Sequence, residues 1–173
     1  DVADGVGVLL RQLGQHDHLL GVQPAVGDLD ALHLDPRLAL AVYAVAQAEF
    51  RAEMKDWPAE PLEAYIGRHY PAYWLKVDLQ RKIRQARFIR ASEQAAHKLA
   101  INVGFDEARG VTELTILATD HPWLLSIIAG ACASAGANIV DAQIYTTTDG
   151  RALDTIAISR EYDRDEDEGR RAT

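Results

Sequence analysis

Cysteine occurs once in this chain, at Cys132, so no internal disulfide can brace the fold. A lone cysteine fits a reducing compartment. Positive charge is in deficit. Lys and Arg number 18 against 26 Asp and Glu, a net charge of −8, which argues against a nucleic-acid binder, since that needs a cationic footprint. Part of the excess is the run "EYDRDEDE" (161–168), read as a solvated segment. Long apolar runs are also missing. The uncharged stretch 124–140 is diluted by Ala, Gly, Ser and Asn and falls short of the roughly 20 apolar residues of a membrane span. No basic segment followed by an apolar one opens the sequence, so no secretory signal is read and the expected location is the cytoplasm. What is present suits a soluble protein: 48% hydrophobic and 25% charged residues in 173, enough for one ordinary domain or two small ones.

Residues 1–37 hold no period of 2 or 3.6 for long. His16-Asp17-His18 invites a metal or phosphohydrolase reading, but no further ligands can be assigned, and solvated loop imidazoles explain it as well. No site is placed there. Residues 38–55 are rich in Ala, Leu and Glu and predict a helix, ended by Asp56-Trp57-Pro58 because the residue before a proline avoids the α region. A second helix is expected over 59–69. "YPAYW" (70–74) suggests a packed corner. Trp57, Tyr65, Tyr70, Tyr73 and Trp74 could stack bases, but with no basic groove beside them they are assigned to a core. Asp78 is the expected N-cap of a long helix over 79–100. Its apolar residues switch faces midway: Leu79, Ile83 and Ala86 lie on one side, Phe88, Ile89, Ser92, Ala95, Ala96 and Leu99 on another. That switch predicts a helix bridging two bodies. "GFDEARG" (104–110) is read as a linker.

Beyond it the pattern sharpens. "TELTILA" (112–118) alternates as a strand. Asp120 is the expected N-cap of the next helix, with Pro122 in its first turn and Leu124, Ile127, Ile128, Ala131 and Ala135 as its apolar stripe. Gly136 suits a left-handed C-cap. Strands are expected over 139–148 and 152–159, joined by the hairpin signal Asp149-Gly150. The fold class is α+β. A helical connector (45–103) and a linker (104–110) lead into a partial ferredoxin-like βαββ unit (111–173), with 1–44 unassigned.

Those last residues carry a resemblance. Asp120-x-Pro122-x-Leu124-Leu125, Gly136-x-Asn138-Ile139, Asp149-Gly150 and Asp154 resemble an ACT domain, an amino-acid-sensing module. "AQAEFRAEMKDWPAEPLEAYIGRHYPAYWLKVDLQRKIRQARFIRASE" followed by "NVGFDEARGVTELTILATDHP" is similar to the connector and first ACT domain of the bifunctional uridylyltransferase/uridylyl-removing enzymes. These act on the PII nitrogen-signalling protein. The resemblance covers about residues 45–173. It implies a longer parent, with a nucleotidyltransferase domain using Mg and UTP, a metal-dependent HD domain and two ACT domains, which uridylylates PII when glutamine is scarce and reverses this when it is plentiful. Neither the Gly-Ser nucleotidyltransferase motif nor a complete HD ligand set is found in this sequence. No catalytic residue, metal site or cofactor is therefore assigned, and the chain is expected to be a regulatory fragment. The alternatives are an ACT module of another regulator, or an inert truncated product.

The resemblance implies an amino-acid ligand, glutamine or another small one, near the turn before the helix. The candidate residues are Asp120, His121, Trp123, Leu124, Gly136, Asn138 and Ile139. A helix start offers N–H groups to a carboxylate, Gly136 permits close approach, and Asn138 both donates and accepts. Asp120 and Gly136 also have purely capping readings. Trp123 stands where the family usually has glycine, and its bulk is expected to fill part of the pocket. With the second helix and fourth strand of the unit not found, residues 112–118 are expected to form an open edge, with self-association through this region. PII is the partner implied through the parent enzyme; nucleic acid and membrane are excluded as partners.

Overall fold

The computed structural model describes residues 36–159, with side chains from Leu38 onward. They fall into two compact units: residues 36–97 with the turn Thr146–Gly150, and Lys98–Tyr145 with 151–159.

The first unit is helical: α1 (Pro36–Glu53), α2 (Ala59–Arg68), α3 (Pro71–Lys76) and α4 (Leu79–Gln94). Proline punctuates it. Pro58 precedes α2 and Pro71 opens α3, where a missing N–H costs nothing. The stretch expected as a packed corner is thus a short helix, and it delivers Tyr73 and Trp74 into the core at 1% exposure each. Phe50 stacks on Tyr65 at 5.4 Å and meets Trp74 edge-on at 5.3 Å. Tyr65, Tyr73 and Trp74 are core, as the sequence implied, whereas Trp57 and Tyr70, assigned to the core as well, are only half-buried.

Asp78 caps α4 as expected, its Oδ1 accepting the Arg81 N–H at 2.8 Å. The face switch does not occur. The buried residues Lys82, Gln85, Ala86, Ile89 and Ser92 form one stripe at helical spacing, whereas Ala95, Ala96 and Leu99 are exposed. Polar tips explain the difference. Lys82 Nζ donates to the Trp74 carbonyl at 2.7 Å and Tyr73 OH donates to Gln85 Oε1 at 3.0 Å, so side chains that hydropathy assigns to water are buried and satisfied. Nor does α4 run to residue 100. It ends at Gln94, with Ala96 left-handed at φ 55°.

The second unit is a four-stranded sheet with one helix. Its elements are β1 (Ala100–Asp106), β2 (Val111–Thr119), α5 (Leu124–Ser134), β3 (Ile139–Thr146) and β4 (Arg151–Ser159). The order across the sheet is β1-β2-β4-β3, with β1 and β4 both antiparallel to β2. Residues 104–110 are therefore the end of β1 and the turn into β2. Arg109 N–H donates to Asp106 Oδ1 at 3.0 Å, and Gly110 takes φ 62°, a conformation glycine adopts without strain. β1 pairs with β2 over seven residues, from Ala100↔Leu117 to Asp106↔Val111. The open edge expected for 112–118 is filled by this strand, in the place a fourth strand would take in a βαββαβ unit. The expected loss of cover is absent too: Ile156 and Ile158 are 0% and 1% exposed, packed with Leu114, Ile116, Ile128 and Cys132. The reason given for self-association falls away.

On α5 the buried residues are Ile128, Ala129 and Cys132, with Leu124 and Leu125 partly buried against the same core. Ile127, placed on the expected stripe, is 63% exposed. Gly136 does what its sequence position implies. It is left-handed at φ 70°, its N–H donates to the Ala133 carbonyl and that of Ala137 to Cys132, a Schellman ending.

Candidate functional site

The β2–α5 turn differs from its expected form. The helix starts at Leu124 with Trp123 as its N-cap residue, so Asp120 is not the cap and Pro122 lies before the first turn. The imidazole of His121 does the capping work instead, Nδ1 accepting the Trp123 N–H at 3.1 Å while the His121 carbonyl accepts Leu124 N–H at 2.9 Å. Asp120, His121, Pro122 and Trp123 are all exposed, Trp123 at 66%. Its indole projects to solvent and does not fill a pocket.

The seven candidates separate into two groups. Asp120, His121, Trp123 and Leu124 sit at the start of α5. Gly136, Asn138 and Ile139 sit beyond its end. The 11-residue helix that begins at Leu124 runs from one group to the other, about 16 Å at 1.5 Å per residue. The sheet register agrees: Thr119 lies opposite Arg151 at one end, and Val111 opposite Ser159 at the other, where Ser159 N–H donates to the Asn138 carbonyl at 2.8 Å. One small amino acid cannot touch both groups within a single chain.

The group at the start of α5 gains a member that sequence reasoning noted as a family mark but not as a site residue. Asp154 lies in the middle of β4, opposite Ile116. Strand alternation puts it on the same face as Ile156 and Ile158, which pack against α5. It is 1% exposed and its Oδ1 has no hydrogen-bond partner. Burial, with the charge of Asp120 adding to it and the Tyr145 N–H opposing, pushes its pKa up to about 7. A carboxyl left open in a low-dielectric setting resists ionisation. The available signal was a lone acid inside "ALDTIAIS", where period-2 logic places an apolar residue.

Elsewhere, His69 is 4% exposed, stacked at 4.0 Å on Tyr73, with Nε2 lacking a partner. Burial, aided by the neighbouring Arg68, drives its pKa down to about 3. It is held neutral among rings, away from any cluster of acids or thiols. Burial also raises the Cys132 thiol, which makes it a poor nucleophile. Among the described residues no group of three or more His, Cys, Asp or Glu is placed to hold a metal, and no helix is long and apolar enough to cross a membrane. His16, Asp17 and His18 lie outside the described residues, as does the acidic run 161–168.

No family model matches the chain. Individual proteins do. The bifunctional uridylyltransferase/uridylyl-removing enzyme of Rhodopseudomonas palustris is 87% identical over 128 residues, 74% of this chain and 14% of that enzyme. The enzyme of the same name from Bradyrhizobium diazoefficiens is 84% identical over the same shares, and that from Nitrobacter winogradskyi is 82% identical over 129 residues, 75% of this chain and 14% of the enzyme. The chain thus spans about one seventh of the length of these relatives.

Proposed function

We propose that the chain is the regulatory part of a uridylyltransferase/uridylyl-removing enzyme acting on PII, that its sheet unit is an ACT-type sensor, and that glutamine is what it senses. The observation that carries this is the identity of 82–87% across three quarters of the chain to a single stretch of such enzymes. A βαββ unit whose helix start is exposed and dipolar suits an amino-acid carboxylate. Since the two candidate groups stand at opposite ends of α5, the single-chain site is the one at Asp120–Leu124. Asn138 then serves the α5–β3 turn.

An NMR titration of the chain with glutamine tests this. Amide shifts should concentrate at 120–126 and saturate, and Asn138→Ala should leave the affinity within about a factor of two, as expected for a distant site. No shift at any glutamine concentration, with other amino acids equally silent, removes the sensing role.

A further inference from the structure

The turn between β3 and β4 does not group with the strands it joins. Thr146–Gly150 belongs to the helical unit, while β3 up to Tyr145 and β4 from Arg151 belong to the sheet unit. Turns at strand ends are ordinarily solvated and loosely held. In this one Thr147 is 2% exposed, and two ties converge on Arg68, the last residue of α2. His69 after it is extended, at φ −103° and ψ 136°, so the Arg68 carbonyl is one of the orphan acceptors of a helix end. The Thr148 N–H fills it at 2.9 Å. The guanidinium of the same residue reaches Asp149 Oδ2 at 3.5 Å, and the other oxygen of that acid accepts the Thr147 hydroxyl. Its Nη1 meets Glu93 Oε1 at 2.5 Å, in the last turn of α4. The chain crosses between the units after His97, after Tyr145 and after Gly150. Glu93 stands shortly before the first crossing and Asp149 lies between the other two. One side chain therefore holds the segments that carry all three.

We propose that Arg68 is the catch of a conformational relay. Seated, it binds the β3–β4 turn and the end of α4 to the end of α2; released, it frees the two together. Events in the sheet unit enter the relay through Arg151 and Gly150. Arg151 opposes Thr119, the last residue of β2, so movement at this end of the sheet crosses one strand pair before it reaches the turn. The strength of the ties suits release. The side chains of Glu93 and Asp149 are 39% and 44% exposed, and ion pairs in that setting are weak and screened by salt. A buried pair would hold the turn shut, whereas these open in local fluctuations. The relay stands whatever the sheet unit binds, and its test uses no ligand.

Amide exchange read residue by residue by NMR on the full chain tests it. The reporters are Thr148, whose N–H sits on the Arg68 carbonyl, and Ala96 and His97, whose N–H groups close α4 on the Glu93 and Ser92 carbonyls. Arg68→Gln should speed exchange at both places by a common factor of about three to five, the range of weak ion pairs. It should also shift the amide resonances of Arg151 and Thr119. Cross-effects decide the matter. Glu93→Gln should speed Thr148, and Asp149→Asn should speed Ala96 and His97, each across the guanidinium. In the parent chain, NaCl at about 1 M, where the screening length falls to roughly 3 Å, should speed both places together. In Arg68→Gln the same salt should change neither. If each acid variant affects only its own neighbourhood, if salt moves one place without the other, or if Arg151 and Thr119 do not respond, the relay is overturned. The salt comparison on the parent needs no variant and decides even if Arg68→Gln fails to fold. That failure would leave the sensing function intact, and an amino acid that does not bind would leave the relay intact.

Discussion

The two units solve the problem of a small core differently. The helical unit fills its interior with rings and lets polar tips inside, provided each finds a partner: Tyr65 OH meets Tyr73 OH at 2.8 Å, Tyr73 OH reaches Gln85, and Lys82 reaches a backbone carbonyl. The sheet unit packs aliphatic residues of β2 and β4 against a helix of Leu, Ile, Ala and Cys. Among the described residues each nevertheless buries a titratable side chain with an open atom and a strongly displaced pKa, His69 Nε2 in the first and Asp154 Oδ1 in the second. In the helical unit that atom belongs to a base held neutral. In the sheet unit it belongs to an acid. Identical burial therefore makes the two units answer to pH in opposite directions.

That opposition is the largest effect expected. His69 has a folded pKa of about 3 against 6.5 when unfolded. Between these values the unfolded chain takes up a proton that the folded unit refuses, so lowering the pH from about 6.5 toward 3 weakens the helical unit. Asp154 has a folded pKa of about 7 against 3.8. Between these values the folded unit keeps a proton that the unfolded chain releases, so raising the pH from about 4 to 7 weakens the sheet unit, and acidification strengthens it. Complete shifts of this size correspond to about 4–5 kcal/mol each. Hydrogen exchange followed by mass spectrometry across pH 4 to 8 should show protection in 59–94 and in 111–159 moving oppositely. His69→Phe should flatten the first trend and Asp154→Asn the second. Parallel trends in both units would break the comparison.

Core truncation comes next and sharpens it. Phe50 is fully buried between Tyr65 and Trp74, and Phe50→Ala should cost about 3–5 kcal/mol. Ile156, also at 0% exposure, is a smaller side chain than Phe50 and leaves a smaller void, so Ile156→Ala should cost about 2–4 kcal/mol. Urea melts of the two variants give the ranking, and peptide-level exchange assigns each loss to its own unit. A larger cost for Ile156 would show that the aliphatic core tolerates voids less well than the aromatic one.

The same contrast decides what could be read from the residues alone. The alternation of 112–118 and Gly136 in the sheet unit, and the Asp149-Gly150 turn that joins β3 to β4, each mark an element that exists, because period-2 burial and left-handed turns leave direct compositional traces. In the helical unit the apolar pattern misplaced the buried face of α4, since Lys82 and Gln85 are inside through hydrogen bonds that hydropathy does not record. β1 escaped notice for another reason. Its exposed residues include Ile101 and its burial pattern is irregular, so pairing with β2 and not alternation makes it a strand. The site divides in the same way. The turn at Asp120–Leu124 was visible as a motif, but the separation from Asn138 follows from helix length once the boundaries are fixed. Asp154 left one trace, an acid where alternation calls for an apolar residue, but its open Oδ1 comes only from the structure.

The smallest effect concerns two helix ends built alike. α5 closes with Gly136 N–H on the Ala133 carbonyl and Ala137 N–H on Cys132; α4 closes with Ala96 N–H on Glu93 and His97 N–H on Ser92. The hydrogen bonds match, and the left-handed residue is glycine in one and alanine in the other, at φ 70° and 55°. A Cβ built on Gly136 meets nothing within 4 Å, so Gly136→Ala carries no steric clash with neighbours and should lose only the backbone preference, about 1 kcal/mol. Ala96 already bears that strain on an exposed side chain. Ala96→Gly should relieve it, less the extra freedom glycine gives the unfolded chain, for a net gain of about 0.5 kcal/mol. Thermal melts of the two single variants should thus move in opposite directions, the sheet-unit variant down by more than the helical-unit variant goes up. If Ala96→Gly lowers stability instead, the methyl of Ala96 makes a contact worth more than the strain it causes, and the two helix ends differ in packing as well as in residue type.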